Sequence, residues 1–203
     1  MQHIWQLWRM PLAAALIVVG FVQVWLPHPA AGLAQSGLEL GEWVKFLPEV
    51  QQGIAPYSRN LLYLPPVTLG LALVLFSADW PPTLRTWLLR AGAVGVALLA
   101  LPPLAVIVRE PSSEWRLRLG WIVAVGLAAL LAPAIGRWPD RLRGLLLVAC
   151  GVAGGVWPTL AYWGYRPIIS TLFAEPVGIG PGLWLNLAGH LLLIAIGLTR
   201  LRP

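Results

Sequence analysis

Between its charged residues this chain runs apolar for long stretches, and that spacing decides what it can fold into. Six segments stand out: Pro11–Leu26, Leu61–Ala78, Trp87–Val108, Leu119–Ile135, Leu142–Trp163 and Leu183–Thr199. Each approaches the roughly 17–25 residues that a helix needs to cross about 30 Å of hydrocarbon. All eight acidic residues (Glu39, Glu42, Glu49, Asp79, Glu110, Glu114, Asp140, Glu175) lie outside these segments or at their ends. The bilayer core offers the backbone no water, so such segments fold as helices that satisfy their own N–H and C=O groups. The expected fold is an all-α integral membrane protein: a single bundle over residues 1–203 with about six transmembrane helices.

Composition bears on what the surface faces. Charged residues make up 11% of the chain and hydrophobic ones 58%, with a mean hydropathy of +0.75. A soluble domain carries about a quarter charged residues, so this surface is built for acyl chains. The 203 residues suffice for one bundle and leave none for a folded extramembrane domain. The net charge of +6 comes from Lys and Arg scattered between apolar runs, where they set topology. Anionic headgroups are the expected counter-charge. The partners implied are the lipid bilayer and other membrane protein subunits, with no nucleic acid.

Orientation follows from the same basic residues. With a cytoplasmic N-terminus, the inner set is Arg9, Arg85, Arg90, Arg137, Arg141, Arg143, Arg200 and Arg202. The outer set is then Lys45, Arg59, Arg109, Arg116, Arg118 and Arg166. The bias predicts a multi-pass protein of a bacterial cell (plasma) membrane with both termini inside. Arg9 and the small residues near Ala30–Ala34 resemble a signal peptide. The apolar run is long for one, and a retained helix is expected. Trp5, Trp8, Trp25, Trp80, Trp87, Trp115, Trp121, Trp138, Trp163 and Trp184 fall near segment ends, as expected of indoles at the headgroup boundary.

Both long exterior loops carry amphipathic patterns. In Ser36–Leu47, residues Leu40, Trp43, Val44 and Leu47 recur at helical spacing, and Ser36 with Glu39 forms a capping-box pattern. A second short helix is expected over Pro167–Ala174, with Pro167 in its first turn. Lying on the membrane surface, the two helices would present Trp43, Phe46, Ile169 and Phe173 at the interface. The phrases Phe46-Leu-Pro-Glu-Val and Phe173-Ala-Glu-Pro-Val each precede a Gly-Ile-x-Pro motif, which raises internal repetition as an expectation to test.

Candidates for chemistry are few. His190 is the ionisable residue placed deep within a segment, which marks it for function. Its imidazole suits a chlorin magnesium or a haem iron, with Gly189 leaving room for a flat macrocycle. The competing reading is a hydrogen bond to a neighbouring helix, with Asn186 one turn away completing a polar patch. Cys150 is the single cysteine and reads as a small apolar residue. No segment holds the carboxylate expected of a coupled pump, and no Gly-x-Ser-x-Gly or His-Glu-x-x-His motif occurs. Gly92/Gly95, Gly120 with Ala124 and Ala128, and Gly151/Gly154/Gly155 form small faces that let helices approach closely, mostly within the bundle.

These features favour a non-catalytic accessory or scaffold subunit of a larger membrane complex, with electron-transfer or photosynthetic assemblies among the candidates. The alternatives are a transporter or channel component for a small neutral or lipidic solute, using proline-broken helices, and a pigment- or haem-binding subunit using His190.

Overall fold

The computed structural model describes residues 2–109 and 111–201. Glu110 and Arg202 lie outside the described residues, as does the side chain of Trp5. The chain is 77% helical, and its principal helices run up and down.

Helix α1 spans Gln2–Val22 and stops short of the expected Leu26. Val24–Leu26 instead forms strand β1, paired antiparallel with β2, Gln35–Ser36. The indole of Trp25 donates to the carbonyl of Gly20 at 2.7 Å and is fully buried. Trp25 is therefore a core residue and not part of an interfacial belt. Helix α2, Gly37–Trp43, carries the predicted capping box, in which Ser36 accepts from the Glu39 N–H and the Glu39 carboxylate accepts from the Ser36 N–H. It continues as a 3-10 turn to Phe46, with Leu40, Val44 and Leu47 buried on one face. Helix α3, Pro48–Gln51, follows.

Helix α4, Leu64–Ser77, extends a 3-10 turn at Arg59–Tyr63. Helix α5, Leu84–Ala97, starts on a Thr83 cap and ends in a 3-10 turn at Leu98–Ala100. The third predicted segment is thus not one helix. Leu101 is extended, with ψ 142, because the following proline disfavours helical geometry at its predecessor. Pro102 and Pro103 supply no N–H to carry the helix on. Helix α6, Leu104–Arg109, begins only afterwards.

Helix α7 spans Arg116–Ile135, α8 Asp140–Phe173 and α9 Pro181–Thr199. The 34 residues of α8 extend about 51 Å at 1.5 Å each, well beyond the hydrocarbon. The separate surface helix expected at Pro167–Ala174 is in fact the end of α8, with Pro167 inside it. Tyr162, Tyr165 and Ile169 bury one continuous face there and hold the helix through the proline. Ile169 consequently packs in the core, where it cannot meet the interface. The helix ends at Ala174 in the left-handed region, φ 55. Arg166 then bonds the carbonyl of Val177 at 2.6 Å and folds the chain back. The two related loop phrases adopt different structures, one with helix α3 and one extended after Ala174, so they do not repeat a fold.

Four described helices are long and apolar enough to cross a membrane: Arg59–Ser77, Arg116–Ile135, Asp140–Phe173 and Pro181–Thr199. The apolar part of α1, Trp8–Val22, is shorter. Helix α9 lies between α1 and α8, while α4 packs against α8, α5, α7 and α1. Glycine sets the closest approaches. A Cβ on Gly20 would lie 2.3 Å from the Asn186 nitrogen, and one on Gly197 2.7 Å from the Gly144 oxygen.

Candidate functional site

The most elaborate polar site lies where α2, the start of α4 and the start of α7 converge. Arg118 on α7 is fully buried and donates to Glu42 Oε1 at 2.7 Å. Tyr63 donates to the same oxygen at 2.8 Å, and its ring lies under the Arg118 guanidinium at 4.3 Å. Arg59 reaches Glu42 at 3.5 Å, donates to the carbonyl of Gly41 at 3.2 Å, and pairs with Glu114. Lys45 stands 3.3 Å from Glu42 Oε2. Burial by itself raises the Glu42 carboxyl. The hydrogen bonds from Arg118 and Tyr63, with the charges of Arg118 and Arg59, outweigh that and hold it below the ordinary carboxylate range.

Two cavities flank this cluster. A polar one of about 530 Å³ is lined by Lys45, Arg59, Asn60, Glu114 and Tyr165 among others. The second, about 690 Å³, lies between α2 and the broken α5–α6 connection. Leu98, Pro102, Leu104 and Ile107 line it, and Glu42 and Tyr63 border it. Its lining is mostly apolar. Sequence reasoning assigned these charges only to topology. The available signal was that Glu42 and Glu114, in exterior connections, and Arg59 and Arg118, beside segment ends, are of opposite sign and fall on one predicted side.

His190 occupies a different place. It is fully buried in α9, with Nδ1 2.9 Å from the Asn186 carbonyl and Nε2 3.1 Å from Thr68 Oγ1. A carbonyl only accepts, so Nδ1 carries the proton, and Nε2 competes with the Leu64 carbonyl, 2.9 Å from Thr68 Oγ1, for the single hydroxyl proton of Thr68. Asn186 donates to the carbonyl of Gly154 at 3.3 Å. The predicted polar patch with Asn186 is therefore present, and it knots α4, α8 and α9 together. A Cβ on Gly154 would lie 2.1 Å from both His190 Nε2 and Thr68 Oγ1. A metal at Nε2 would have to displace that packing. Nor is the space beside Gly189 open, since a Cβ there would lie 2.6 Å from Ile17.

At the opposite end of the helices, Arg143 pairs with Asp79 and, at 2.7 Å, with Asp140. Arg200 approaches Asp79 at 3.4 Å. Of the expected interface residues, Phe46 is 68% exposed. Trp43 and Phe173 are half-buried and packed together, their ring centroids 5.9 Å apart. The chain matches no protein-family model, no curated protein and no solved structure.

Proposed function

We propose that this protein is a non-catalytic accessory or scaffold subunit of a larger membrane complex, docked through the outward faces of α5–α7. The observation that carries the reading is where glycine is left open. A Cβ at Gly92, Gly95 or Gly120 would meet nothing within 4 Å, whereas Gly151 and Gly154 have neighbours inside 3 Å. Open small-residue faces are what a neighbouring transmembrane helix packs against. Leu104 and Val108 of the adjoining α6, 79% and 84% exposed, extend the same apolar side. Meanwhile the main polar side chains are engaged with one another, in the Glu42 cluster, the His190 knot and the Asp79 cluster.

The full arrangement belongs to the same proposal: six crossings, α1 and the α5–α6 pair included, in a bacterial plasma membrane with both termini cytoplasmic. Electron-transfer and photosynthetic assemblies are among the candidate classes. The test is extraction of the tagged protein from its own membranes in mild detergent, with mass spectrometry and an absorption spectrum on one sample. Stoichiometric partner chains are expected. A solitary, stable monomer contradicts the proposal, and a pigment or haem band that disappears in His190→Leu would favour the cofactor-binding reading.

One observation favours a second reading, a carrier or channel component for a small neutral or lipidic solute. It is the apolar cavity beside the Leu101–Pro103 break, bordered by Glu42 and Tyr63. Solute flux in sealed vesicles, abolished by filling that cavity with Leu101→Trp, would shift the assignment there.

A further inference from the structure

Arg90 lies in α5 about 9 Å along the axis from its first residue at 1.5 Å per residue. It is 1% exposed, yet no carboxylate among the described residues pairs with it. Its Nη2 donates to the carbonyl of Ser77 at 3.1 Å and its Nε to Ser77 Oγ at 3.4 Å, while Nη1 has no partner. Its guanidinium also lies over the Trp87 ring, 5.1 Å from the centroid, but a buried guanidinium with no counter-charge is costly, and arginine is suited to phosphate through its planar fork. Arg90 also lines a groove of about 480 Å³ between α5 and α7, otherwise walled by Trp87, Val94, Val123, Gly126 and Leu130.

From these features we infer that the groove holds one anionic phospholipid, its phosphate drawing the Arg90 guanidinium outward from its enclosed position on Ser77, with the upper part of an acyl chain along Val94 and Val123. The depth fits. Trp80, Trp87 and Trp138, each 40–42% exposed, lie at this end of the helices, at the level indole takes beside headgroups. The charge fits as well. Neither α5 nor α7 contains an acidic residue, and Arg85 and Arg137 lie exposed nearby. Asp79 is already occupied by Arg143 and Arg200. An uncharged wall with one cation at its headgroup end selects a lipid of net negative charge and leaves free phosphate without its apolar contacts. The lipid face of α5 (Arg90, Ala91, Val94) is separate from the Leu88, Gly92 and Gly95 face offered to a partner, by 100° per residue.

The experiment is native mass spectrometry of the detergent-purified protein titrated with phosphatidylglycerol or phosphatidylcholine of identical acyl chains. The wild type is expected to retain one phosphatidylglycerol at about tenfold lower concentration than phosphatidylcholine, by about 1.4 kcal/mol per tenfold. Arg90→Gln removes that preference. Gly126→Leu, a position where a Cβ meets nothing within 4 Å, fills the groove and lowers retention of both lipids while leaving Arg90 in place. Millimolar glycerol phosphate displaces neither. Equal retention of the two lipids by the wild type overturns the inference, as does full retention in Gly126→Leu or displacement by glycerol phosphate. The wild-type and Gly126→Leu arms decide the matter even if Arg90→Gln fails to fold.

Discussion

Two parts of this molecule use the same residues differently. In the group formed by α1, α4, α8 and α9, glycines sit at the closest approaches: Gly20 against the Asn186 backbone, Gly144 against the Gly197 backbone, and Gly154 against the His190 and Thr68 side chains. In α5 and α7, Gly92, Gly95, Gly120 and Gly126 face open space. The apolar stretch of α4 is 67% buried, that of α7 only 33%. Hydrocarbon supplies little drive to bring helices together, so close packing must hold the first group. The second group is fastened by the Glu42–Arg118 cluster at one end of α7, by the Arg90–Ser77 hydrogen bonds, and by close approaches to α4 at Gly70 and Gly136 only, with its other glycines turned outward. These small residues on open faces are the observation on which the proposed docking role rests.

The largest expected effect comes from cutting that fastening. Glu42→Gln leaves Arg118 buried without its carboxylate, and loss of one partner of a buried pair costs about 3 kcal/mol or more. Unfolding measured by thermal denaturation or by titration with a denaturing detergent should show it, with hydrogen exchange rising first at the start of α7. Acid should act in the same direction. The folded state holds the Glu42 carboxyl below its ordinary range, so this stabilisation is complete above that range. It is lost as pH falls through the lowered value. A stability profile flat from neutral pH down to pH ~3 in the wild type would dissociate α7 from this cluster.

Next in size is Gly154→Ala. The added methyl falls 2.1 Å from two buried polar atoms, and overpacking of this kind costs about 3 kcal/mol at the upper end of its usual range. His190→Leu follows at about 1–2 kcal/mol, since hydrogen bonds between membrane helices are individually modest. The smallest effect has the opposite sign. Gly95→Ala meets no neighbour, and relief of backbone entropy makes it neutral to about 1 kcal/mol stabilising in the isolated protein. Equal losses in Gly154→Ala and Gly95→Ala would erase the contrast between the two groups.

How much of this was legible in the sequence depends on the range of the interaction. The Ser36–Glu39 capping box was readable because both partners lie within one turn. The His190–Asn186 patch was readable for the same reason, although Thr68, which completes it, lies 122 residues away. The Leu101–Pro103 break could be suspected from its two prolines, but prolines also fall in α4, α7 and α8, and hydropathy does not tell which of them interrupts its helix. Pro167 misled in the other direction: it reads as a helix start, yet Tyr165 and Ile169 pack so well that α8 continues through it. The Glu42–Arg118 pair spans 76 residues, and nothing local announces it. Neither did periodicity separate a glycine that meets a neighbour from one that faces outward, since both kinds occupy equivalent small-residue patterns.

The proposed docking role of α5–α7 is tested most directly by photo-crosslinking in the native membrane. A photoreactive residue is placed at Gly95 in one variant and, as control, at Leu191, which is 56% exposed on α9. The account predicts a discrete protein adduct from position 95 and only lipid adducts from position 191. Lipid adducts alone from position 95, or the same protein adduct from both positions, would contradict it.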